Sequence, residues 1–511
     1  MAGSHISENS RRIARNTVLL YFRMGVMLLV GLYTSRVVLG ALGQDDYGTF
    51  GAVGGVVALF SVLTGAVASA VSRFMAVELG RAHKRLEDVF STTVFVQAAL
   101  AAGVLILAEV LGVWFLNNRM SIPDGRMEAA NWVLQCAIGV FVVNMLSVPY
   151  NAAIIAYEKM EAFAYISIAE AFLALGAAMA TRYAPVDKLK LYAVLMLAVA
   201  LLVRVLYGMY AHRHFPECRF RRSRVSRSLI REMGSFAGWT FLGSGASVLN
   251  AQGINILFNL FFGVRVNAAR DVTVKLEGNV TRFINNITTA INPQINKSFA
   301  AGSHQYLHEL VCKGAKYSYF LYFFFALPIV LETPELLRLW LGFVPDHTVE
   351  FVRISMLYSL FVAVGNPFVT AVFATGKIKV YEIVASATNV LAFPLSYIAF
   401  KLGGTPETAY WFIAGTAFLV LLERIGFACV QTGLEPGKIL HDMLLPVALV
   451  SVSAAVVPLA VFLPQEPSLL RTVEVVLVSF LSTAASVFFL GTTSGEKSTV
   501  IQFVKSRILK R

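Results

Sequence analysis

The chain has 511 residues, of which 57% are hydrophobic and only 14% charged, and its mean hydropathy is +0.68. A soluble globular domain carries about 25% charged residues, so these values exclude a soluble fold and point to an integral membrane protein. The net charge of +13 does not indicate a nucleic-acid partner, because the basic residues lie in short loops without interleaved aromatics, where they attract anionic lipid headgroups instead.

A pass along the chain finds about fourteen predominantly apolar stretches of membrane-spanning length, separated by short polar turns, and predicts an all-α integral membrane protein. Span one, "TVLLYFRMGVMLLVGLYTSRVVLGALG" from Thr17, is too long for a signal-peptide core and has no small-residue cleavage site after it. It places Arg23 inside the membrane and Arg36 near its outer end, where anchoring at the interface is the competing role. The turn "LGALGQDDYGTFGAVGG" follows, and span two leaves the membrane through "SRFMAVELGR". Glu170 lies in span five without an evident partner. Between spans six and seven runs the basic block "HRHFPECRFRRSRVSRSLIRE".

Span seven, "FAGWTFLGSGASVLNAQGINILFNLFFG", carries Gln252, Asn255 and Asn259 on one face. Span eight is the least apolar: "VTVKLEGNVTRFINNITTAINPQINK" sets Lys275, Asn279, Arg282 and Asn286 on one helical face, opposite a stripe of isoleucine, leucine and valine. A charge at the bilayer centre costs about 3 kcal/mol even on a lenient scale, so this stripe is expected to line a wet cavity. The alternative for each asparagine is a hydrogen bond that joins neighbouring helices. Glu277 sits near the start of that span, where the helix dipole favours a carboxylate. Glu382 and Glu423 lie towards helix ends, and Glu423 adjoins Arg424, which suggests interfacial ion pairs. Glu170 and Glu277 remain as candidates for coupling transport to a proton or sodium gradient. No other cofactor is expected: no P-loop, HExxH or Ser/His/Asp set is present, the four cysteines suggest neither disulfides nor a metal cluster, and an enzyme is not indicated.

Lys and Arg accumulate in alternate loops, from Arg11, Arg12 and Arg15 through Arg81, Lys84 and Arg85 to Lys313, Lys316, Lys377, Lys379 and the tail "KSRILKR". By the positive-inside rule these loops and both termini are cytoplasmic. The sequence also repeats internally: "PYNAAIIAYEKMEAFAYI" from Pro149 aligns without slippage with "PFVTAVFATGKIKVYEIV" from Pro367, pairing Lys159 with Lys377 and Phe163 with Tyr381. A weaker echo relates the turn after span one to "FFGVRVNAARDVTVKLEG" after span seven. Six spans separate the copies, so the two lobes are expected to be related by a pseudo-two-fold axis along the membrane normal, with substrate between them. The expected organisation is a six-helix lobe over residues 1–212, a basic linker over 213–233, a second six-helix lobe over 234–430, and an appended helix hairpin with a basic tail over 431–511.

Two lobes of six spans, the "LGALGQDDYGTFGAVGG" turn, the "SRFMAVELGR" exit and the proline-led fourth and tenth spans together resemble the multidrug/oligosaccharidyl-lipid/polysaccharide (MOP) exporter superfamily, and within it the Wzx-type polysaccharide-repeat flippases. The resemblance implies a flippase in the bacterial inner membrane that carries an undecaprenyl-diphosphate-linked oligosaccharide from the cytoplasmic to the periplasmic leaflet by alternating access. Membrane lipids and the polysaccharide polymerase machinery are the partners such a role implies. Arg23, Arg36, Gln252, Asn255, Asn259, Lys275, Asn279, Arg282 and Asn286 would bind the substrate: Arg and Lys the diphosphate, the amides the sugar hydroxyls. Two relatives with different cargo stay open. Drug-exporting members carry a membrane-embedded acid in span one or seven, where this chain has Arg23 and amides; lipid II flippases carry an Arg-Asp pattern at the end of span one that is missing around Arg36.

Overall fold

The computed structural model describes residues 2–61, 71, 74–75, 85–157, 159–493 and 495–498, with side chains described throughout these except at 2–21, 156, 235–244, 246–247, 283–290 and 293. Among them there is no β-strand; the chain is a series of helices. That is the form a chain takes in hydrocarbon, where each backbone N–H and C=O must find its partner within the same segment. Eleven of the described helices are long and apolar enough to cross a membrane. The remaining predicted spans are span two, which falls largely outside the described residues, span seven, whose Val248–Phe262 is a shorter apolar stretch, and span eight, a helix too polar to qualify.

The helices are α1 (Ala2–Ala58), α2 (Leu86–Leu107), α3 (Val113–Arg119), α4 (Met127–Ala156), α5 (Met160–Tyr183), α6 (Lys188–His214), α7 (Arg227–Phe262), α8 (Val264–Ala300) and α9 (His304–Leu331). They continue as α10 (Thr333–Leu341), α11 (Thr348–Ala374), α12 (Lys379–Val390), α13 (Ala392–Lys401), α14 (Glu407–Thr432), α15 (Pro436–Ile439), α16 (Leu445–Phe462) and α17 (Leu469–Ser486). Side chains such as Val430 (86% exposed), Leu402 (82%) and Leu463 (74%) stand outward from these helices. Apolar groups on the outside are what a lipid-facing surface requires, the reverse of a soluble protein.

The predicted turn after span one is a break at a single residue. Gly43, at φ 76° and ψ 176°, interrupts α1, and helix resumes at once. Gly263, between α7 and α8, has φ 79° and ψ −176°. An L side chain at these positive φ values is strained, so glycine is needed at both. The echo between the two turns is therefore a repeat of backbone conformation as well as of sequence. Pro149 lies inside α4 and Pro367 inside α11, again at matched positions.

By packing, the chain forms two compact units, Met1–Asp271 with Trp340–Pro345, and Val272–Leu339 with Asp346–Arg511. The division falls within α8, not at the basic linker, because α7 and the first turns of α8 are tied to residues of α1 and of the α3–α4 loop. In the first unit, Phe90 and Tyr150 meet edge-on at 5.3 Å within a core that includes Met75, Ile154 and Tyr207. A second cluster packs Val53 against Ala130, Leu134 and Leu189. Asn259, read from the sequence as a wall of the cavity, is fully buried; its amide donates to the Ser121 carbonyl at 3.2 Å and accepts from the Ser121 N–H at 3.0 Å.

In the second unit, Phe368, Val311, Tyr381 and Met443 form the core, and α16 and α17 form the appended hairpin. Its anchor is an ion pair: Glu332, after α9, is 0% exposed and Arg471 is 6% exposed. Arg471 Nη2 donates to Glu332 Oε2 at 3.0 Å, Nε approaches Oε1 at 2.9 Å but out of line for a hydrogen bond, and Thr472 Oγ1 donates to Oε2 at 3.0 Å. Removing one partner of such a pair leaves a buried charge and costs about 3–5 kcal/mol, whereas replacing both by apolar groups is often neutral. Glu332→Leu alone is therefore expected to lower thermal stability in detergent micelles sharply, and Glu332→Leu with Arg471→Leu to recover most of it. A double variant no more stable than the single one would show that the pair does not hold the hairpin.

Candidate functional site: charged groups within the membrane helices

In the first unit the polar groups fall into two places. Deep in α1, the Arg23 guanidinium lies over the ring of Phe163, 4.5 Å from its centroid, and within electrostatic range of Glu170 on α5 and Tyr207 on α6. Tyr207 OH and Ser167 Oγ are 3.5 Å apart. The structure thus brings together Arg23 and Glu170, two residues assigned separate roles from the sequence. Arg36, thirteen residues further along α1 and so about 20 Å away, is exposed.

The other place is the end of the unit that holds Gly43 and Gly263. A β-carbon on Gly48 would lie 1.9 Å from the carbonyl oxygen of Val264, and one on Gly55 would lie 2.1 Å from Asn255 Nδ2 and 3.3 Å from Gln252 Oε1. The resumed part of α1 therefore meets the α7–α8 junction through glycines, with Ala52, 1% exposed, between them. Arg265 Nε donates to Asp45 Oδ1 at 2.7 Å and Nη2 to Oδ2 at 3.2 Å. Tyr47 OH donates to Asp271, and Asn267 Nδ2 donates to both the carbonyl (2.7 Å) and side-chain (2.9 Å) oxygens of Asn255. Gln252 is half-buried beside them. Arg126 then bridges Asp46 at 2.6 Å and Asp187 at 2.7 Å. Burial alone would raise the Asp187 pKa, but hydrogen bonds from Arg126 and from the Lys190 and Leu189 amides outweigh it and hold the carboxyl below its usual value.

In the second unit, Arg282 is exposed and its Nη1 donates to Asn279 Oδ1 at 3.4 Å, one turn back; Lys275 is half-buried on the same face. The Asn286 side chain lies outside the described residues. Glu277 accepts a hydrogen bond from Ser359 Oγ of α11 at 3.0 Å. The sequence places Glu277 near a helix start, but α8 begins at Val264, so the carboxylate lies about 20 Å in and the dipole does not account for it. Nor do Glu423 and Arg424 serve each other: Thr388 Oγ1 donates to Glu423, whereas Arg424 donates to Tyr381 OH at 3.2 Å and to Asn366 Oδ1 at 3.4 Å.

No protein-family profile matches the chain, and no curated protein matches it by sequence. Solved structures do match by shape. The lipid II flippase MurJ in its inward closed conformation superposes with a TM-score of 0.70 at 13% identity, over 93% of this chain and 98% of that one. An inward-facing multidrug resistance MATE family transporter of the MOP superfamily gives 0.64 at 12% identity, over 82% and 98%. The eukaryotic MATE transporter AtDTX14 gives 0.57 at 14% identity, over 84% and 100%.

The chain shares its fold with these transporters. Within this fold the internal repeat singles out Arg204 and relates it to Arg424, which the sequence suggests only as an interfacial partner of Glu423. "LLVRVL" in α6 and "LLERIG" in α14 are separated by the same interval as Asp45 and Arg265, and they align Arg204 with Arg424. Arg204 stacks 3.9 Å from the centroid of Tyr150, next to Pro149, and Arg424 bonds Asn366, next to Pro367. Among the described residues neither makes an ion pair within 4.0 Å. Each lies about 12–15 Å from the C-terminal end of its helix. Phe163 and Tyr381, paired in the repeat, likewise carry Arg23 and Arg424 respectively. The signal was available in the repeat; it was hidden because arginine near a span end reads as an anchor.

Two measurements test the glycine-lined junction. An exposed ion pair such as Asp45–Arg265, with 45% and 63% of its side chains exposed, contributes about 0–1 kcal/mol, whereas the carbonyl at Gly48 cannot move aside for a side chain. Thr49 is 0% exposed. In a background lacking the native cysteines, Thr49→Cys is expected to resist a membrane-impermeant maleimide, to become reactive when Gly48→Val is added, and to change only slightly with Arg265→Asp, a change that Asp45→Arg reverses. Equal effects of the two substitutions would mean that charge, not shape, closes the junction. The Asp187 contribution has a defined pH window: a carboxyl depressed on folding stabilises fully above its unfolded value near 4, and that stability is lost as pH falls through the lower folded value. Wild type is therefore expected to lose its thermal-stability advantage over Asp187→Asn below about pH 4.

Proposed function

We propose that the chain is a flippase that moves an undecaprenyl-diphosphate-linked oligosaccharide from the cytoplasmic to the periplasmic leaflet of the bacterial inner membrane by alternating access, for O-antigen, capsule or exopolysaccharide assembly. The observation that carries this reading is a set of cations, Arg23, Arg204 and Arg424 in helices apolar enough to cross a membrane and Lys275 and Arg282 on the polar face of α8, in a fold shared with a lipid II flippase. A diphosphate supplies the acceptor oxygens such cations need, and Arg in particular binds phosphate through paired hydrogen bonds. The amides of Gln252 and Asn279 offer both donors and acceptors to sugar hydroxyls, each of which costs about 1–3 kcal/mol if buried unpaired. A drug exporter that takes up cations would have to bind them against this field.

The shape match to a lipid II flippase supports a second reading, with lipid II as cargo. The two share the mechanism and differ in the glycan. In either, with the cytoplasm negative, outward movement of an uncompensated anion gains about 2.3 kcal/mol per charge per 100 mV. In the unloaded carrier that field draws the unneutralised cations towards the cytoplasm and would hold them there; a proton or sodium ion on Glu170, within electrostatic range of Arg23, is the reset this reading invokes.

Reconstituted vesicles with imposed potential and ion gradients provide the test. Wild type is expected to flip a labelled undecaprenyl-diphosphate oligosaccharide, Arg282→Ala and Arg424→Ala to lose at least tenfold in rate while remaining in the membrane, and Glu170→Gln to lose its ion dependence. Flipping of lipid II alone would select the second reading. Export of cationic dyes with no lipid flipping would replace both with the multidrug antiporter.

A further inference from the structure

A cavity of about 400 Å³ opens in the second unit between the start of α9, the α15–α16 junction and the end of α17, away from the residues above. Two of the π-helical segments in the described chain border it: His441 and Asp442 belong to Leu440–Leu444, and Leu490 and Gly491 to Val487–Gly491. Such segments recur at functional sites because they aim side chains that a regular helix would not. The close approach that shapes the cavity depends on Gly491, since a β-carbon there would lie 2.7 Å from the ring of Phe320. Pro446 and Leu490 form an apolar part of the lining, while Gln305, Lys313 and Lys438 form a polar one. A wall that passes from apolar to charged over one cavity marks the depth of lipid headgroups.

The charges are balanced. Lys313 pairs with Glu309 at 2.6 Å and with Glu496 at 3.5 Å, and the nearly buried Lys316 lies 3.7 Å from Glu496. His441 Nδ1 is 3.0 Å from Asp442. Lys438, half-buried in the lining, makes no ion pair among the described residues. The cavity thus offers, on one segment, an ammonium that makes no ion pair and the Asp442 carboxylate four residues further on, with Glu309 of α9 also in the lining. A purely anionic headgroup meets those carboxylates; a choline headgroup has no N–H to give them. A phosphoethanolamine headgroup satisfies both, its phosphate on Lys438 and its primary ammonium donating to Asp442 or Glu309.

We propose that this cavity is a binding site for the zwitterionic phosphoethanolamine headgroup of a membrane phospholipid, held by Lys438 and Asp442 where the appended hairpin meets α9. The site does not depend on which lipid the protein transports. Its occupant would join three helices beyond the contacts they already make, such as the stacked Phe324 and Phe480 rings and the Tyr319–Ser451 hydrogen bond, and so stabilise the hairpin by mass action.

The experiment uses the full chain in nanodiscs of phosphatidylcholine alone, or with phosphatidylethanolamine or phosphatidylglycerol added, together with mass spectrometry of the lipid retained after mild detergent extraction. Phosphatidylethanolamine is expected to raise the unfolding temperature by a few degrees and to be the retained species. Lys438→Gln and Asp442→Asn are each expected to remove at least half of that rise, and Lys438→Arg to keep it. An equal rise with phosphatidylglycerol, or one that survives both substitutions, overturns the proposal, as does retention of an undecaprenyl diphosphate lipid at this site in place of the phospholipid. Because all variants are compared in phosphatidylcholine as well, a general loss of folding is seen as a lower baseline, distinct from a lost response.

Discussion

A cation in hydrocarbon has no water to turn to, and that constraint organises this protein. Each intramembrane arginine or lysine must be given an aromatic face, an amide, a carboxylate, a wet passage or a ligand, because its isolated cost of about 3 kcal/mol would otherwise be subtracted from a small net stability. Where the structure supplies a permanent partner, as for Arg471 with Glu332, the residue holds helices together. Where it supplies only ring faces and neutral amides, as for Arg204 and Arg424, the charge is tolerated but not neutralised. The second group is the one on which the proposed function draws.

The same constraint explains why glycine and proline sit where they do. Gly43 and Gly263 turn the chain with a single residue, so the polar groups of a longer loop need not be accommodated between adjacent helices. Gly48 and Gly55 bring backbones close enough for Asn255, Asn259 and Asn267 to satisfy one another and nearby carbonyls. Without a hydrophobic force between helices in lipid, such close approach and amide pairing is what specifies their packing. Pro149 and Pro367 then place Tyr150 and Asn366 within reach of the matched arginines.

The fold was legible in the sequence because membrane helices announce themselves by length and hydropathy, and the repeat of Pro149 and Pro367 carried over into matched helices. The polar residues were harder to read. Asn255 and Asn259 have a cavity-lining spacing, yet Asn259 is spent on the Ser121 backbone, a partner far along the chain that no periodicity reveals. Glu277 was given a helix start that lies elsewhere, since Gly263 and not the end of the apolar run opens α8. Arg23 of α1 lies within electrostatic range of Glu170 of α5, and charges that distant in sequence carry no mark of their proximity.

The pair Asp45 and Arg265 occupies equivalent positions of the two repeats, two residues after glycines of the same conformation. Residues that face their own equivalents across such a junction would, in an assembly of two identical halves, be alike: aspartate against aspartate, or arginine against arginine. Opposite charges at that point exist only once the halves have diverged within one chain. A protein rebuilt from two copies of either half would therefore meet its own charge at the junction, and could close it only by losing the charge or by restoring the asymmetry. The ion pair is weak as a source of stability, but it makes the two halves non-interchangeable at this point.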